Sequence, residues 1–254
     1  MKMIIIDAGN TNIVFGIYSK KKLIKIFRIN TDKKNVINKK ILINFLKSKK
    51  NIFNKLDNKY CVLCSVVPSL NLIIKNYFIK KKFKFNIVTA KDIPINAKIR
   101  YNLNQIGSDR VANYIYVLNK KIKNCIIIDF GTATTFDVIK NSEYYGGLIF
   151  PGINLSMNTL IKNTELLKVT KISKSKKIVN RNTSASIKSG FYFGYLHALN
   201  GILRQIKKEN NFKPKILITG GLGKIFKDKI LFNPLYEENL TLEGIREIGK
   251  KYLL

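Results

Sequence analysis

Short apolar runs alternate with segments of helical period along the chain. Residues 4–6 are three isoleucines that end on Asp7, and residues 61–67, 87–88 and 215–219 are further apolar stretches bounded by turn residues, the pattern of buried strands. Residues 41–47, 70–80, 111–119, 187–208 and 242–253 carry apolar positions at helical spacing and are predicted helices. Ser108 and Asp109 stand as a polar cap at the start of the 111–119 helix. Gly190, Gly194 and Gly201 interrupt the long 187–208 segment, which points to close helix packing or a break. Strands interleaved with helices predict α/β layering.

One pattern occurs twice. Ile4-Ile-Ile-Asp-Ala-Gly-Asn-Thr-Asn-Ile-Val-Phe-Gly-Ile17 aligns without gaps on Ile126-Ile-Ile-Asp-Phe-Gly-Thr-Ala-Thr-Thr-Phe-Asp-Val-Ile139, 122 residues later. Each copy is an apolar strand, an aspartate, a glycine-containing turn and a second apolar strand. A repeat at half the chain length predicts a duplicated domain, residues 1–120 followed by residues 121–254.

The chain has 254 residues, long enough for two cores, and 46% of them are hydrophobic. No apolar run approaches the ~20 residues of a membrane helix. The opening Met1-Lys2-Met3-Ile4-Ile-Ile-Asp7 lacks the apolar stretch of a secretory signal, so the chain is expected in the cytoplasm, starting at or near Met1. Lys and Arg number 47 against 15 Asp and Glu, a net charge of +32. Such charge favours polyanions in general. Lysine dominates, alongside abundant Ile and Asn, which reads as a compositional bias toward AT-rich codons and a solvated coat. A dedicated nucleic-acid surface more often carries arginine and exposed aromatics.

Three cysteines and one histidine exclude a disulfide framework and make a Ser-His-Asp mechanism a poor fit. Cys61 and Cys64 form a C-x-x-C, but three residues apart on a strand they point to opposite faces and cannot share a zinc ion.

The chemistry-bearing segments are glycine turns at strand ends. In Asp7-Ala-Gly-Asn-Thr11, glycine lets backbone N–H groups approach an anion, Asn10 and Thr11 add donors, and Asp7 can hold Mg²⁺. The same residues also suit an ordinary hairpin turn. The second copy, Asp129-Phe-Gly-Thr-Ala-Thr-Thr135, favours the phosphate reading, since two such loops across a cleft can clamp a polyphosphate. Neither a P-loop nor a Rossmann fingerprint is present. Thr219-Gly-Gly-Leu-Gly223 suits a ribose or ring lying on backbone, or a plain strand-to-helix turn. In Gly107-Ser-Asp-Arg110, Asp109 is either a helix-start acid or a general base, with Arg110 holding an anionic substrate.

Taken in order, Asp7-Ala-Gly-Asn-Thr11, Ser65-Val-Val-Pro68, Gly107-Ser-Asp-Arg110, Ile127-Ile-Asp-Phe-Gly-Thr-Ala-Thr-Thr135, Gly146-Gly-Leu-Ile-Phe-Pro-Gly152 and Thr219-Gly-Gly221 resemble the motifs of the type III pantothenate kinases. They span nearly the whole chain. The resemblance implies two duplicated ribonuclease-H-like domains of the actin-like ATPase fold, with a cleft between them. It implies phosphorylation of pantothenate by ATP to 4′-phosphopantothenate, the first step of coenzyme A biosynthesis.

It also implies roles. Asp7, Ala8, Gly9, Asn10, Thr11 and Asn12 would form the first phosphate loop, with Asp7 near Mg²⁺, and Thr132 would contact ATP. Asp109 would be the general base. Tyr101, Gly107, Ser108, Asp109 and Arg110 would bind pantothenate, Arg110 pairing with its carboxylate. Asp129 would hold the monovalent cation, K⁺ or NH₄⁺. Thr183 would reach pantothenate across a homodimer interface. No membrane and no specific nucleic acid partner is expected. This chain has Ser108 where the family commonly has alanine, a short loop without proline over residues 101–107, and Glu165 and Lys168 where a small residue and a proline are usual. Two other readings use the same residues: another small-molecule kinase of the superfamily, or a non-enzymatic kinase-like regulator that binds nucleic acid.

Overall fold

The computed structural model describes residues 2–30, 37–56, 59–94, 97–165 and 171–252. The departure at Lys168 lies outside them. The chain divides into two units: Met1–Ala97, Tyr101–Lys121 and Leu240–Leu254 form the first, and Lys98–Arg100 with Ile122–Asn239 form the second.

In the first unit, strands β1 (Lys2–Ala8), β2 (Asn12–Ser19), β3 (Lys22–Asn30), β4 (Tyr60–Ser65) and β5 (Lys84–Ile87) form a sheet of order β3-β2-β1-β4-β5. β1 to β3 are antiparallel neighbours, whereas β4 and β5 run parallel to β1. The isoleucine run of β1 does not alternate with polar residues because both of its faces are covered. Ile4 and Ile6 pack on the side of α1 (Ile37–Ser48), α2 (Lys50–Asn54) and α3 (Pro68–Lys80), against Leu42, Leu46, Phe53, Ile74 and Phe78. Met3 and Ile5 pack on the side of α4 (Ser108–Asn119), against Val111, Ala112 and Ile115. Cys61 joins the first of these clusters and Cys64 the second, so the two thiols do point to opposite faces. All three cysteines are buried and free.

The second unit repeats the scheme. Strands β6 (Cys125–Phe130), β7 (Ala133–Lys140), β8 (Glu143–Pro151), β9 (Lys215–Thr219) and β10 (Leu235–Tyr236) form the sheet β10-β9-β6-β7-β8, with the same pattern of antiparallel and parallel pairs. Helices α5 (Ile153–Lys162), α6 (Thr183–Asn210) and α7 (Gly223–Phe226) complete it. Ile126, Ile128, Phe136 and Val138 pack against Tyr192, Leu196, Leu199 and Leu203 of α6.

The gapless repeat slips by one residue at the turn. β1 lies 122 residues before its counterpart, but β2 begins at Asn12 and β7 at Ala133, 121 residues apart. The Gly9 N–H donates to the Asn12 carbonyl, whereas the Gly131 N–H donates to Ala133, closing a turn one residue shorter. Side-chain period on a strand is two, so this slip decides which face each residue takes. It matches buried Phe15 with buried Phe136 and leaves Asp137, not Val138, opposite Gly16 in the duplicated pattern.

Three expectations need correction. The second domain was drawn to residue 254, but the last helix, α8 (Leu240–Lys251), packs with the first unit. Leu242, Ile245 and Ile248 close the core below β1 and β4. Thr241 Oγ1 donates to Asn113 Oδ1 at 2.8 Å, the buried Arg246 donates to the Lys21 carbonyl at 2.6 Å, and the Tyr252 hydroxyl donates to the Asp92 carboxylate. Second, α6 runs unbroken from Thr183 to Asn210, and a Cβ at Gly190, Gly194 or Gly201 would meet nothing within 4 Å among the described residues. Third, the residue that caps α4 is Gly107, and Ser108 and Asp109 already belong to the helix. Among the described residues no helix is long and apolar enough to cross a membrane.

Candidate functional site

In the first unit the carboxyl ends of the parallel strands β1 and β4 lie side by side, since Asp7 pairs in register with Cys64 and Ala8 with Ser65. Strand ends of this kind are where open α/β sheets present their chemistry. Asp7 is partly exposed and Ala8 is fully buried, so Ala8 offers only its backbone. The Ala8 carbonyl accepts the Val66 N–H at 3.0 Å. Gly9 and Asn12 close the turn, and Asn10 and Thr11 are exposed at its tip.

α4 begins beside these strand ends. Burial pushes the Cys64 thiol well up, and the Asp7 and Asp109 carboxylates push it further. The Arg110 backbone N–H donates to Asp109 Oδ1 at 2.8 Å. Burial raises the Asp109 pKa above the usual carboxylate value, while that N–H and the Arg110 charge lower it. A desolvated carboxylate at a helix N-terminus remains able to ionise because the helix end favours the anion. The buried Arg110 guanidinium lies 5.3 Å from the centre of the Tyr101 ring.

Ser108 plays an unexpected part. Its hydroxyl donates to the Ser65 carbonyl at 2.9 Å and accepts the Ser65 N–H at 3.1 Å. The Ser65 hydroxyl in turn accepts the Val67 N–H at 3.1 Å. Ser65 stands out in sequence only as part of Ser65-Val-Val-Pro68, and no local signal marks its tie to a residue 43 positions on.

In the second unit Asp129 occupies the place Asp7 holds in the first, paired in register with Thr135 on β7 and Thr219 on β9. Thr132 sits in the following turn. A Cβ on Gly152, at the start of α5, would collide with the Thr132 carbonyl, so only glycine lets α5 approach this turn. Gly220 follows β9 at φ +86, with its α-carbon against Phe130, and an added Cβ would stand 2.5 Å from the Phe130 carbonyl oxygen. Thr183, the first residue of α6, is exposed, and Asn182 caps that helix by accepting the Ala185 N–H at 2.9 Å.

The first unit thus brings together Asp7, Gly9, Asn12, Tyr101, Gly107, Ser108, Asp109 and Arg110 around one set of strand ends. The second holds Asp129 and Thr132 on its own hairpin. Thr183 stands at the exposed start of a separate helix. No group of three or more His, Cys, Asp or Glu suited to a metal occurs among the described residues. The donor set fits Mg²⁺ nonetheless, because that ion takes one or two carboxylates and completes its shell with phosphate oxygens and water.

The model of the family described as type III pantothenate kinase matches residues 3–205. A type III pantothenate kinase of Pelagibacter ubique (strain HTCC1062) is 39% identical over 249 residues, covering 96% of this chain and 97% of the relative. Among solved structures, a conserved protein of the Baf family from Campylobacter jejuni superimposes with a TM-score of 0.62 at 22% identity, over 98% of each chain. The inorganic polyphosphate/ATP-glucomannokinase from Arthrobacter sp. strain KM superimposes with a TM-score of 0.51 at 13% identity, over 98% of this chain and 99% of that one. These structural likenesses carry the fold, that of the sugar kinases with two duplicated domains.

Proposed function

The chain belongs to the type III pantothenate kinase family, and from that premise we propose how its residues divide the work of the reaction. The enzyme transfers a phosphoryl group from ATP to pantothenate, the entry to coenzyme A biosynthesis. Asp109 is the general base for the pantothenate hydroxyl. The observation that carries this assignment is the position of its carboxylate at the start of α4, held by the Arg110 N–H in a turn that Ser108 ties to the end of β4.

Phosphoryl transfer proceeds through a loose transition state and asks the protein mainly for alignment and charge. A carboxylate base suffices there, because the proton leaves late. The backbone of residues 7–12 takes phosphate oxygens, and Asp7 holds Mg²⁺, which neutralises charge on the phosphates when bound. Thr132 contacts the nucleotide. Arg110 pairs with the pantothenate carboxylate, its guanidinium braced on Tyr101. Asp129 holds K⁺ or NH₄⁺, for which a carboxylate and neighbouring hydroxyl and carbonyl oxygens are suitable hard donors.

The working unit is a homodimer in which Thr183 serves the partner's substrate. The exposed start of α6 and an apolar groove of about 350 Å³ along the same helix, lined by Phe150, Leu160, Ile187, Phe191 and Tyr195, support that reading. Three free buried thiols suit a reducing compartment, and we place the enzyme in the cytoplasm.

The test is ADP release with ATP, Mg²⁺ and K⁺, with and without pantothenate, for the wild type and Asp109→Asn. The Asn enzyme is expected to bind ATP and lose ~10²–10⁴ in pantothenate-dependent turnover. Wild-type turnover in that variant would remove Asp109 from the role. Turnover that ignores pantothenate would redirect the search to other acceptors.

A further inference from the structure

The start of α4 has no N-cap side chain, and the first-turn N–H of Arg110 goes to the Asp109 carboxylate itself. Its N-cap residue is Gly107, which has no side chain to receive an N–H of the first turn. A helix end without a cap frays, and Asp109 is the second residue of this one. A base is most useful when it is held to within a fraction of an ångström, and a bond from outside the helix can fix that turn further.

The hydroxyl of Ser108 is the group in place to do so. It bonds to both backbone groups of Ser65, donating to the carbonyl at 2.9 Å and accepting the N–H at 3.1 Å. Ser65 is the last residue of β4, and the next N–H, that of Val66, donates to the Ala8 carbonyl at the end of β1. A continuous run of bonds thus joins the Asp7 strand end to the first turn of α4. A serine hydroxyl has one proton and two lone pairs; the two Ser65 bonds engage the proton and one pair, and the Cys64 thiol is a further neighbour of the same group.

We propose that Ser108 is a positioning residue for Asp109: its two bonds to Ser65 pin the first turn of α4 to the end of β4 and so set where the carboxylate stands relative to Asp7. The assignment replaces the expectation that Ser108 binds substrate directly. It rests on the reading of Asp109 as the base, and the test separates the two.

Four proteins are compared in steady-state and single-turnover assays: wild type, Ser108→Ala, Asp109→Asn and the double variant. Ser108→Ala is expected to lower kcat about tenfold, with the KM for ATP within twofold of wild type. Ser108→Thr, which keeps the hydroxyl, is expected to stay within threefold of wild type. In the Asp109→Asn background the Ser108→Ala change is expected to cost nothing further, because a residue that acts only through Asp109 has nothing left to position. Additive losses in the double variant, or a Ser108→Thr enzyme as slow as Ser108→Ala and equally folded, would overturn the proposal. So would a folded Ser108→Ala enzyme with wild-type kcat. If Asp109→Asn itself keeps full turnover, the base assignment fails first and takes this proposal with it. Should Ser108→Ala not fold, Ser108→Cys, whose thiol is a weak donor and acceptor, takes its place with the same readings.

Discussion

The Asp109 carboxylate lies folded back over Gly107, so that a Cβ added at Gly107 would fall under 3.0 Å from Asp109 Oδ1. The backbone of Gly107, at φ −64 and ψ 144, is open to any residue. The glycine is needed for space and not for conformation.

Gly107→Ala is therefore expected to keep the fold and displace the carboxylate, since the colliding atom is the end of a side chain that can rotate. Thermal denaturation should show a Tm within about 2 °C of wild type. kcat should fall by up to ~10², the cost of misplacing a reacting group by about an ångström. A variant with unchanged kcat would show that the carboxylate has no need of its present place.

Burial raises the Asp109 pKa, which gives stability a pH dependence of known sign. Below the ordinary carboxylate value, 3.8, folded and unfolded chains both carry the proton. As pH rises past it the unfolded chain releases its proton first, the folded chain binds more protons, and stability falls until the folded value is passed. Asp109→Asn abolishes this loss. Its Tm relative to wild type should rise between pH 3 and pH 7, and a difference that stays constant over that range would contradict the burial effect.

Asp129→Asn tests the cation. The expected result is an enzyme whose turnover in K⁺ no longer exceeds its turnover in Na⁺, with the fold retained. Full K⁺ stimulation in the variant would remove Asp129 from that role.

Gly244 on α8 stands against α4, and a Cβ there would overlap the Ala112 carbonyl. Gly244→Ala must push two helices apart, and overpacking of this kind costs ~1–3 kcal/mol. At Gly201, exposed on α6, a Cβ meets nothing within 4 Å, and Gly201→Ala should instead gain up to ~1 kcal/mol from helix propensity. Denaturant titration of both variants decides whether the α4–α8 crossing is as tight as it stands; equal and small effects would mean that it relaxes.

Strands β1, β2, β4, β6, β7 and β9, helices α1, α3, α4, α6 and α8 and the duplicated Asp-turn were legible from the residues alone, because each is set by a short-range period; β3, β10, α2, α5 and α7 were not read. Three β-branched isoleucines followed by Asp7 and a glycine turn read as a buried strand, and residues three apart on a strand face opposite ways, so Cys61 and Cys64 needed no structure to be separated. The candidate site was legible for the same reason: Asp7, Asp129 and the Gly107-Ser-Asp-Arg110 turn are contiguous motifs. What the tertiary structure alone decided involves partners far apart in the chain. The second hairpin turn is one residue shorter than the first, which only strand register reveals. The last helix joins the first unit because Gly244 and Thr241 meet Ala112 and Asn113, more than a hundred residues earlier. Ser108 looked like a cap and is a cross-link to Ser65. A hydroxyl's chemistry is the same in every setting, but its role depends on which backbone folding brings within 3 Å of it, and no local pattern encodes that.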